Sequence, residues 1–183
     1  KSSTITNPYI NMPKINYKAS SECFPKVPGS IWKGKRMKTE NKVSLEQVLW
    51  SREKRVATQK ELLEKYPGTL ICFMLNIPGP EKVNELFEKV FYEGLEKIQN
   101  KLETEKISTE VRLVQENITG YEGYLVVKAD GCQVKKLMIA LEETKIGRLY
   151  DIDVLEKENT KISRNDLGFP ERKCLLCDNP ACQ

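Results

Sequence analysis

The spacing of apolar residues along the chain predicts three helices and four strands. In three segments, apolar residues recur every three or four positions, which is the period of an amphipathic helix. Ser44 and Gln47 form a capping-box pattern before the first of these segments. Other segments are short apolar or alternating runs, which are typical of strands. The helices are expected at 45–66, 81–104 and 132–143, and the strands at 69–77, 109–116, 121–129 and 147–155.

After the first helix, the predicted elements follow the order β-α-β-β-α-β. This is the split βαβ order of ferredoxin-like domains. The expected fold class is therefore α+β, with either a ferredoxin-like or a nucleotidyltransferase-like sheet and an extra N-terminal helix. Several domains that transfer nucleotides carry paired Asp residues on such a sheet, although a fold does not by itself assign a function.

The first 42 residues differ from the rest of the chain. They are rich in Lys, Ser, Asn and Pro, so residues 1–42 are expected to be a disordered or artefactual leader, with Met37 as a candidate natural start. Residues 1–36 hold seven Lys or Arg and one acid, so the overall charge of +4 leaves about −2 for residues 37–183. The basic balance therefore belongs to the leader and argues against nucleic acid as a partner.

Composition excludes several classes of protein. No apolar run reaches the roughly 18 to 20 residues of a membrane span, and the N-terminus lacks the apolar core of a signal peptide. A cytoplasmic protein without a membrane partner is expected. The chain has six Cys and no His, which excludes histidine-based catalytic triads for the sequence as given. Cys72 and Cys132 fall in predicted core elements, so reduced thiols are expected.

Two carboxylates in the last predicted strand are the main candidates for chemistry. Asp151 and Asp153 lie two positions apart in GRLYDIDVL, and side chains at i and i+2 of a strand point to the same face. Such a pair suits Mg²⁺, which binds one or two protein carboxylates together with substrate phosphates. Phosphoryl and nucleotidyl transfer use this arrangement. The alternative is that both side chains lie on a solvated edge of the sheet.

A longer set of motifs surrounds this pair. The motifs are GRLYDIDVL, Ser163-Arg164, LGFP at 167–170, RKCLLC at 172–177, Ser51-Arg52 with Arg55, and Gly79-Pro80 with Lys82. Together they resemble the holo-citrate lyase synthase family, the apo-citrate lyase phosphoribosyl-dephospho-CoA transferases. The resemblance extends from about Val43 to the C-terminus, and it implies a transferase domain at 43–183.

The resemblance implies a nucleotidyltransferase of the EC 2.7.7 type, with Asp151 and Asp153 as catalytic residues that bind Mg²⁺. It would move the phosphoribosyl-dephospho-CoA group from 2'-(5''-triphosphoribosyl)-3'-dephospho-CoA to a serine of the citrate lyase acyl carrier (gamma) subunit, with release of pyrophosphate. Two alternatives stay open: the equivalent transfer to a malonate decarboxylase carrier subunit, and a non-catalytic module that binds a partner.

Gly147, Arg148 and Arg172 are candidate substrate-binding residues, and each could instead have a purely structural role. Gly147 either lets backbone approach the phosphates or simply begins the strand. Arg148 either contacts phosphate, since a guanidinium offers several donors to phosphate oxygens, or lies on the opposite, solvated face of the strand. Arg172 either grips the CoA-like part of the donor or is a surface charge.

Two further pairs of residues are candidates for substrate contact. Ser163 and Arg164 either contact phosphate or cap a turn. Arg52 and Arg55 lie three residues apart and therefore share a helix face, which either meets the anionic substrate or is solvated. Glu142 or Glu143 either completes the metal site from the end of the adjoining helix or is solvated.

The Cys174-x-x-Cys177 spacing suits either zinc or a redox pair. Zinc needs two further ligands, and Cys182 is a candidate third in a chain without His. The family pattern continues with another Cys and then a His. The resemblance therefore implies that this chain is truncated within that segment, and that Zn²⁺ is a candidate ligand of the intact protein.

Overall fold

The computed structural model describes residues 42–172. These residues form an α+β fold with one antiparallel sheet, which confirms the predicted class. The predicted leader falls almost entirely outside the described residues, as do Cys174, Cys177 and Cys182. The helices are α1 Leu45–Lys65, α2 Glu85–Thr104 and α3 Gly131–Glu142; the strands are β1 Thr69–Leu75, β2 Thr109–Asn117, β3 Gly120–Val127, β4 Tyr150–Glu156 and β5 Thr160–Lys161; and three 3-10 turns are Gly147–Leu149, Lys157–Asn159 and Asn165–Leu167.

The sheet has the strand order β2-β3-β1-β4-β5, and every neighbouring pair is antiparallel. Helix α2 connects β1 to β2 with β3 between them, and helix α3 connects β3 to β4 with β1 between them. The order of elements up to β4 is thus the predicted one, and the short edge strand β5 is an addition that the apolar pattern did not predict. The name of a ferredoxin-like or nucleotidyltransferase-like fold stays a prediction.

The sheet packs on both of its faces. One face meets α2 and α3 in the larger core, in which Phe73, Phe91 and Tyr150 form ring contacts about 5 Å apart between centroids. The other face carries Cys72 and Tyr124 and is covered by α1 through Leu62. Successive residues of a strand point to opposite faces, and residues two apart point to the same face. Asp151 and Asp153 of β4 therefore both point to a single one of these two faces.

Helix α1 begins with the predicted capping box, in which the Ser44 hydroxyl accepts from the Gln47 amide. The predicted apolar stripe is only partly buried, however. Leu62 lies in the core, whereas Leu45 and Val56 are 74% and 53% exposed. The reason is that the buried face of α1 carries Ser51, Gln59 and Leu62, so it is largely polar and leaves part of the apolar stripe outside.

Helix α2 begins at Glu85, four residues later than the periodicity predicts. The Asn84 side chain accepts from the Phe87 amide at 2.8 Å and so caps the helix. Glu81 instead forms an isolated antiparallel bridge with Lys42. The apolar pattern before Asn84 therefore belongs to an extended segment.

The two cysteines that the structure describes differ in environment. Cys72 is fully buried in β1, where burial raises the pKa of its thiol to about 12. Cys132 lies in the first turn of α3 but is exposed, so its assignment to the core is wrong. Among the helices of residues 42–172, none is long and apolar enough to cross a membrane.

Candidate active site

A cleft of about 190 Å³ lies where the N-terminal half of α1, the end of β1 with its following loop, and the β2–β3 hairpin come together. Met74 and Tyr121 contribute apolar surface to it, and Ser51, Asn76 and Thr119 contribute polar groups. The charged side chains that line it are Arg52, Arg55, Lys82, Glu122 and Asp151.

Asp151 and Asp153 share the sheet face that α1 covers. They lie opposite Met74 and Cys72 of β1, and they alternate with the buried Tyr150 and Ile152, which face the larger core. Their side chains are 44% and 23% exposed. Both carboxylates are therefore reachable by a ligand, with Asp151 in the cleft wall and Asp153 one row deeper along the strand.

The two carboxylates repel each other in a partly buried setting. Burial, with the nearby charge of Asp153, raises the pKa of Asp151 above its ordinary value. The Lys161 ammonium lies 2.7 Å from Asp153, and the Arg172 guanidinium lies 3.6 Å from Asp151. These cations act against the rise in the pKa of Asp151, but burial and the neighbouring carboxylates outweigh them.

This donor set fits Mg²⁺ and does not suit zinc. Mg²⁺ prefers oxygen ligands and needs only one or two carboxylates when substrate phosphates and water complete its shell. Within residues 42–172, no group of three or more His, Cys, Asp or Glu side chains is placed to hold a metal ion. A bound divalent cation would relieve the repulsion between Asp151 and Asp153.

Glu142 closes the β4 edge next to this pair, in the sense that its carboxylate accepts the hydrogen bond that a neighbouring strand would otherwise accept. Strand β4 pairs with β5 only at its last two residues. Within the described part of the chain, no strand meets the Ile152 amide at this edge, and the amide donates to Glu142 at 3.0 Å. Arg164 and Arg172 also bind this carboxylate, at 2.8 Å and 3.4 Å. The Glu142 side chain is 3% exposed, so a solvated role is wrong for it, and its oxygens are already engaged.

Three of the predicted substrate-binding arginines, Arg148, Arg164 and Arg172, take part in this network at the edge of the sheet, and none of them lines the cleft. Arg164 binds Glu142, and it also reaches the exposed Glu143 at 3.5 Å. Arg172 binds Glu142 and donates to the Arg148 carbonyl at 3.0 Å. The Arg172 side chain is 26% exposed and is therefore not a simple surface charge.

Ser163 caps a turn in the structure. Its hydroxyl accepts from the Asp166 amide at 3.2 Å, and its own amide donates to the Asp166 carboxylate at 2.8 Å. This reciprocal pattern is the turn-capping alternative that the sequence left open. A role of Ser163 in phosphate contact stays a prediction.

The last strand is shorter than predicted. Residues Gly147–Leu149 form a 3-10 turn, so Gly147 does not begin the strand, and Arg148 does not lie on a strand face with Tyr150 and Ile152. The cause is the close approach of this turn to the end of α3. A Cβ on Gly147 would lie 1.8 Å from the Leu141 carbonyl oxygen, so only glycine fits there.

Replacing Gly147 by alanine is expected to lower the free energy of unfolding by about 2 to 3 kcal/mol, because the added methyl overlaps backbone and forces the turn to move. Denaturant unfolding measures this. The matched control is Gly168→Ala, where φ is +74° but no atom of residues 42–172 lies within 4 Å of the added carbon, and where about 1 kcal/mol is expected. An equal or smaller loss at Gly147 would contradict the packing shown here.

Arg52 and Arg55 both line the cleft, so they share a helix face in the structure as well. Arg55 donates from Nε and Nη2 to the same oxygen of Glu122, at 2.9 Å and 2.8 Å. Burial lowers the pKa of Arg55, but the Glu122 carboxylate more than compensates, so the net pKa is raised. The guanidinium therefore keeps its charge at the cleft wall. Lys82 donates to the Ile77 carbonyl beside it.

Sequence reasoning missed Glu122, which is 4% exposed on the cleft wall. A signal was present, because it is the single acidic residue in the otherwise apolar, glycine and tyrosine sequence of β3. An ionisable group in a buried strand needs a partner, and such groups concentrate at functional sites. Its partner Arg55 lies 67 positions earlier in the chain, so the pairing itself was not visible in the sequence.

The fold and the cleft combine carboxylates suited to a divalent cation with guanidinium and ammonium groups suited to phosphate. Comparison with known proteins identifies the family that this chain matches. The family model for apo-citrate lyase phosphoribosyl-dephospho-CoA transferase matches residues 43–183.

Curated relatives agree with that match. A probable apo-citrate lyase phosphoribosyl-dephospho-CoA transferase of Streptococcus pyogenes serotype M18 is 40% identical over 144 residues, which span 76% of this chain and 74% of the relative. The enzyme of that name from Escherichia coli O1:K1 / APEC is 34% identical over 140 residues, 76% of each chain. Protein CitXG of Haemophilus influenzae is 35% identical over 142 residues, 77% of this chain and 30% of that longer protein.

The class of protein is therefore an enzyme, a transferase. Within that class, the chain belongs to the apo-citrate lyase phosphoribosyl-dephospho-CoA transferase family.

Proposed function

We propose that the protein transfers the phosphoribosyl-dephospho-CoA group from 2'-(5''-triphosphoribosyl)-3'-dephospho-CoA to a serine of the citrate lyase acyl carrier (gamma) subunit. The serine oxygen forms a bond to the α-phosphorus, and the bond from that phosphorus to the bridging oxygen breaks. Pyrophosphate leaves, and the serine proton passes to solvent. The observation that carries this proposal is the family match over residues 43–183.

The cleft supports the proposal through its charges. Arg52, Arg55 and Lys82 line one cavity with Asp151, so a triphosphate placed there meets cations on several sides. Guanidinium groups donate two parallel hydrogen bonds to phosphate oxygens and so orient them. This would hold the α-phosphorus in line with an incoming hydroxyl, which is the main requirement of phosphoryl transfer.

Asp151 and Asp153 would hold Mg²⁺, which supplies charge neutralisation on the triphosphate when it is bound. Asp151 lies in the cleft wall, and Asp153 lies on the same face of β4. Arg172, held by Glu142 and 3.6 Å from Asp151, would restrain that carboxylate from the edge of the sheet.

The intact mass of the acceptor subunit tests this function. Wild-type protein, the triphosphoribosyl-dephospho-CoA donor, Mg²⁺ and apo-citrate lyase are expected to give a gamma subunit heavier by one phosphoribosyl-dephospho-CoA group, with pyrophosphate released in equal amount. An acceptor whose modified serine is replaced by alanine is the control. An adenylyl-sized adduct with ATP as the preferred donor would overturn the proposal, as would preferred modification of a malonate decarboxylase carrier subunit or no modification at all.

A further inference from the structure

Glu122 is a buried carboxylate whose hydrogen bonds fix one cleft arginine. Its Oε1 accepts from Nε and Nη2 of Arg55 at 2.9 Å and 2.8 Å. Its Oε2 accepts from the hydroxyl of Tyr124 at 2.7 Å. Both oxygens are thus engaged, and Tyr124 is itself fully buried in β3. The rigid sheet therefore sets the position of the carboxylate, and the carboxylate sets the position of the guanidinium.

The register of the sheet places this network opposite the acidic pair. Glu122 and Asp151 both lie across from Met74, on β3 and β4 respectively. They are two strand spacings apart, roughly 9 to 10 Å, and both line the cleft with Arg55. Arg55, which binds Glu122 of β3, and Asp151 of β4 therefore line one cavity from different strands of its floor.

We infer that Glu122 is a positioning residue that holds the Arg55 guanidinium against the polyphosphate of the donor, with Tyr124 fixing Glu122 from below. The inference rests on the proposed function, because that function supplies the polyphosphate. A free arginine side chain loses rotamer freedom when it binds a ligand, whereas one that is already fixed does not. Pre-organisation of this kind strengthens binding without adding a contact to the ligand.

Two simpler roles for Glu122 predict other effects of its neutralisation on anion affinity. If Glu122 acted only through its negative charge, its neutralisation would tighten the binding of an anion. If the Arg55–Glu122 pair only fastened α1 to the sheet, its neutralisation would lower stability and leave anion affinity unchanged. Of the three roles, only positioning predicts that removing a negative charge from the cleft weakens the binding of a polyanion.

Affinity for inorganic tripolyphosphate, measured by titration calorimetry in the presence of Mg²⁺, separates these roles. Glu122→Gln is expected to weaken binding about tenfold, the size typical of coupling between contacting residues. The reason is that a neutral amide holds the guanidinium less firmly than a carboxylate. Unchanged or tighter binding by a folded Glu122→Gln protein would overturn the inference.

Tyr124→Phe provides a second variant that leaves the ion pair in place and removes only the bond to Oε2. It is expected to weaken tripolyphosphate binding in the same direction and by less. This variant keeps the inference testable if Glu122→Gln does not fold. Unchanged affinity in Tyr124→Phe would then count against positioning by the sheet.

Glu116→Gln is the matched control. Glu116 accepts from the Tyr92 hydroxyl at 2.7 Å, which resembles the Tyr124–Glu122 bond, but neither residue lines the cleft. The affinity of this variant for tripolyphosphate is expected to equal that of the wild type. An equal weakening in Glu116→Gln would show that loss of any glutamate charge produces the effect, which would overturn the inference.

The Arg55→Gln background tests whether Glu122 acts through Arg55. There, adding Glu122→Gln is expected to produce no further weakening, since no guanidinium remains to be positioned; independent, additive losses would contradict the inference. The result is separable from the proposed function. A wild type that does not bind tripolyphosphate refutes the donor site itself, whereas a wild type that binds but is insensitive to Glu122→Gln refutes only the positioning role.

Discussion

Replacement of Asp151 by asparagine is expected to slow the transfer reaction about a thousandfold, which corresponds to several kcal/mol of lost charge stabilisation in the transition state. The carboxylate lies half-exposed in the cleft wall and contributes no packing to either core. The fold is therefore expected to survive, with a free energy of unfolding equal to or above that of wild type, because the substitution removes repulsion from Asp153. Pyrophosphate release and denaturant unfolding measure the two quantities.

Asp153→Asn is expected to change activity in the same direction, because both carboxylates lie on one face of β4. The matched control is Asp130→Asn. Asp130 caps α3 by accepting from the Gln133 amide at 2.9 Å, and asparagine is an equally good N-cap. Near-wild-type activity in the variants of Asp151 and Asp153 would contradict the assignment of the catalytic site to this pair.

Replacement of Glu142 by alanine is expected to lower the free energy of unfolding by about 3 to 5 kcal/mol, the range for removing one partner of a buried ion pair. It leaves the Arg164 and Arg172 guanidinium groups without this carboxylate, and it leaves the amide of Ile152 at an open strand edge. Because domains are stable by only about 5 to 15 kcal/mol, the midpoint of denaturant unfolding is expected to fall sharply.

Glu143→Ala controls for the general effect of removing an acid from the end of α3. The Glu143 side chain is 57% exposed and lies 3.5 Å from Arg164, so a change of no more than about 0.5 kcal/mol is expected. Equal stability losses in the Glu142 and Glu143 variants would contradict the description of Glu142 as the closure of the β4 edge.

The features that the sequence predicts well are those set by local periodicity. The order of helices and strands follows from the change between helical and strand periods, and the class of fold follows from that order. The common face of Asp151 and Asp153 follows from the two-residue repeat of a strand. The capping box of α1 is equally local, since Ser44 and Gln47 lie within one helical turn.

The features that the sequence did not predict depend on contacts between distant segments. The exposure of Val56 reflects that α1 buries a face with the polar Ser51 and Gln59, which its apolar spacing does not indicate. The turn at Gly147 depends on the position of the Leu141 carbonyl. In the cleft, Arg55 binds Glu122, which lies 67 positions later in the chain. Long-range packing of this kind overrides local pattern, and it decides which charged residues face a ligand.

Binding of Mn²⁺ as a stand-in for Mg²⁺, followed by electron paramagnetic resonance in the presence of tripolyphosphate, tests the paired-carboxylate site most directly. Wild-type protein is expected to bind the ion, and Asp151→Asn and Asp153→Asn are each expected to weaken binding by at least about tenfold, since even the loss of an outer-shell partner of a metal has that effect. Identical Mn²⁺ binding by the wild type and both variants would contradict the account.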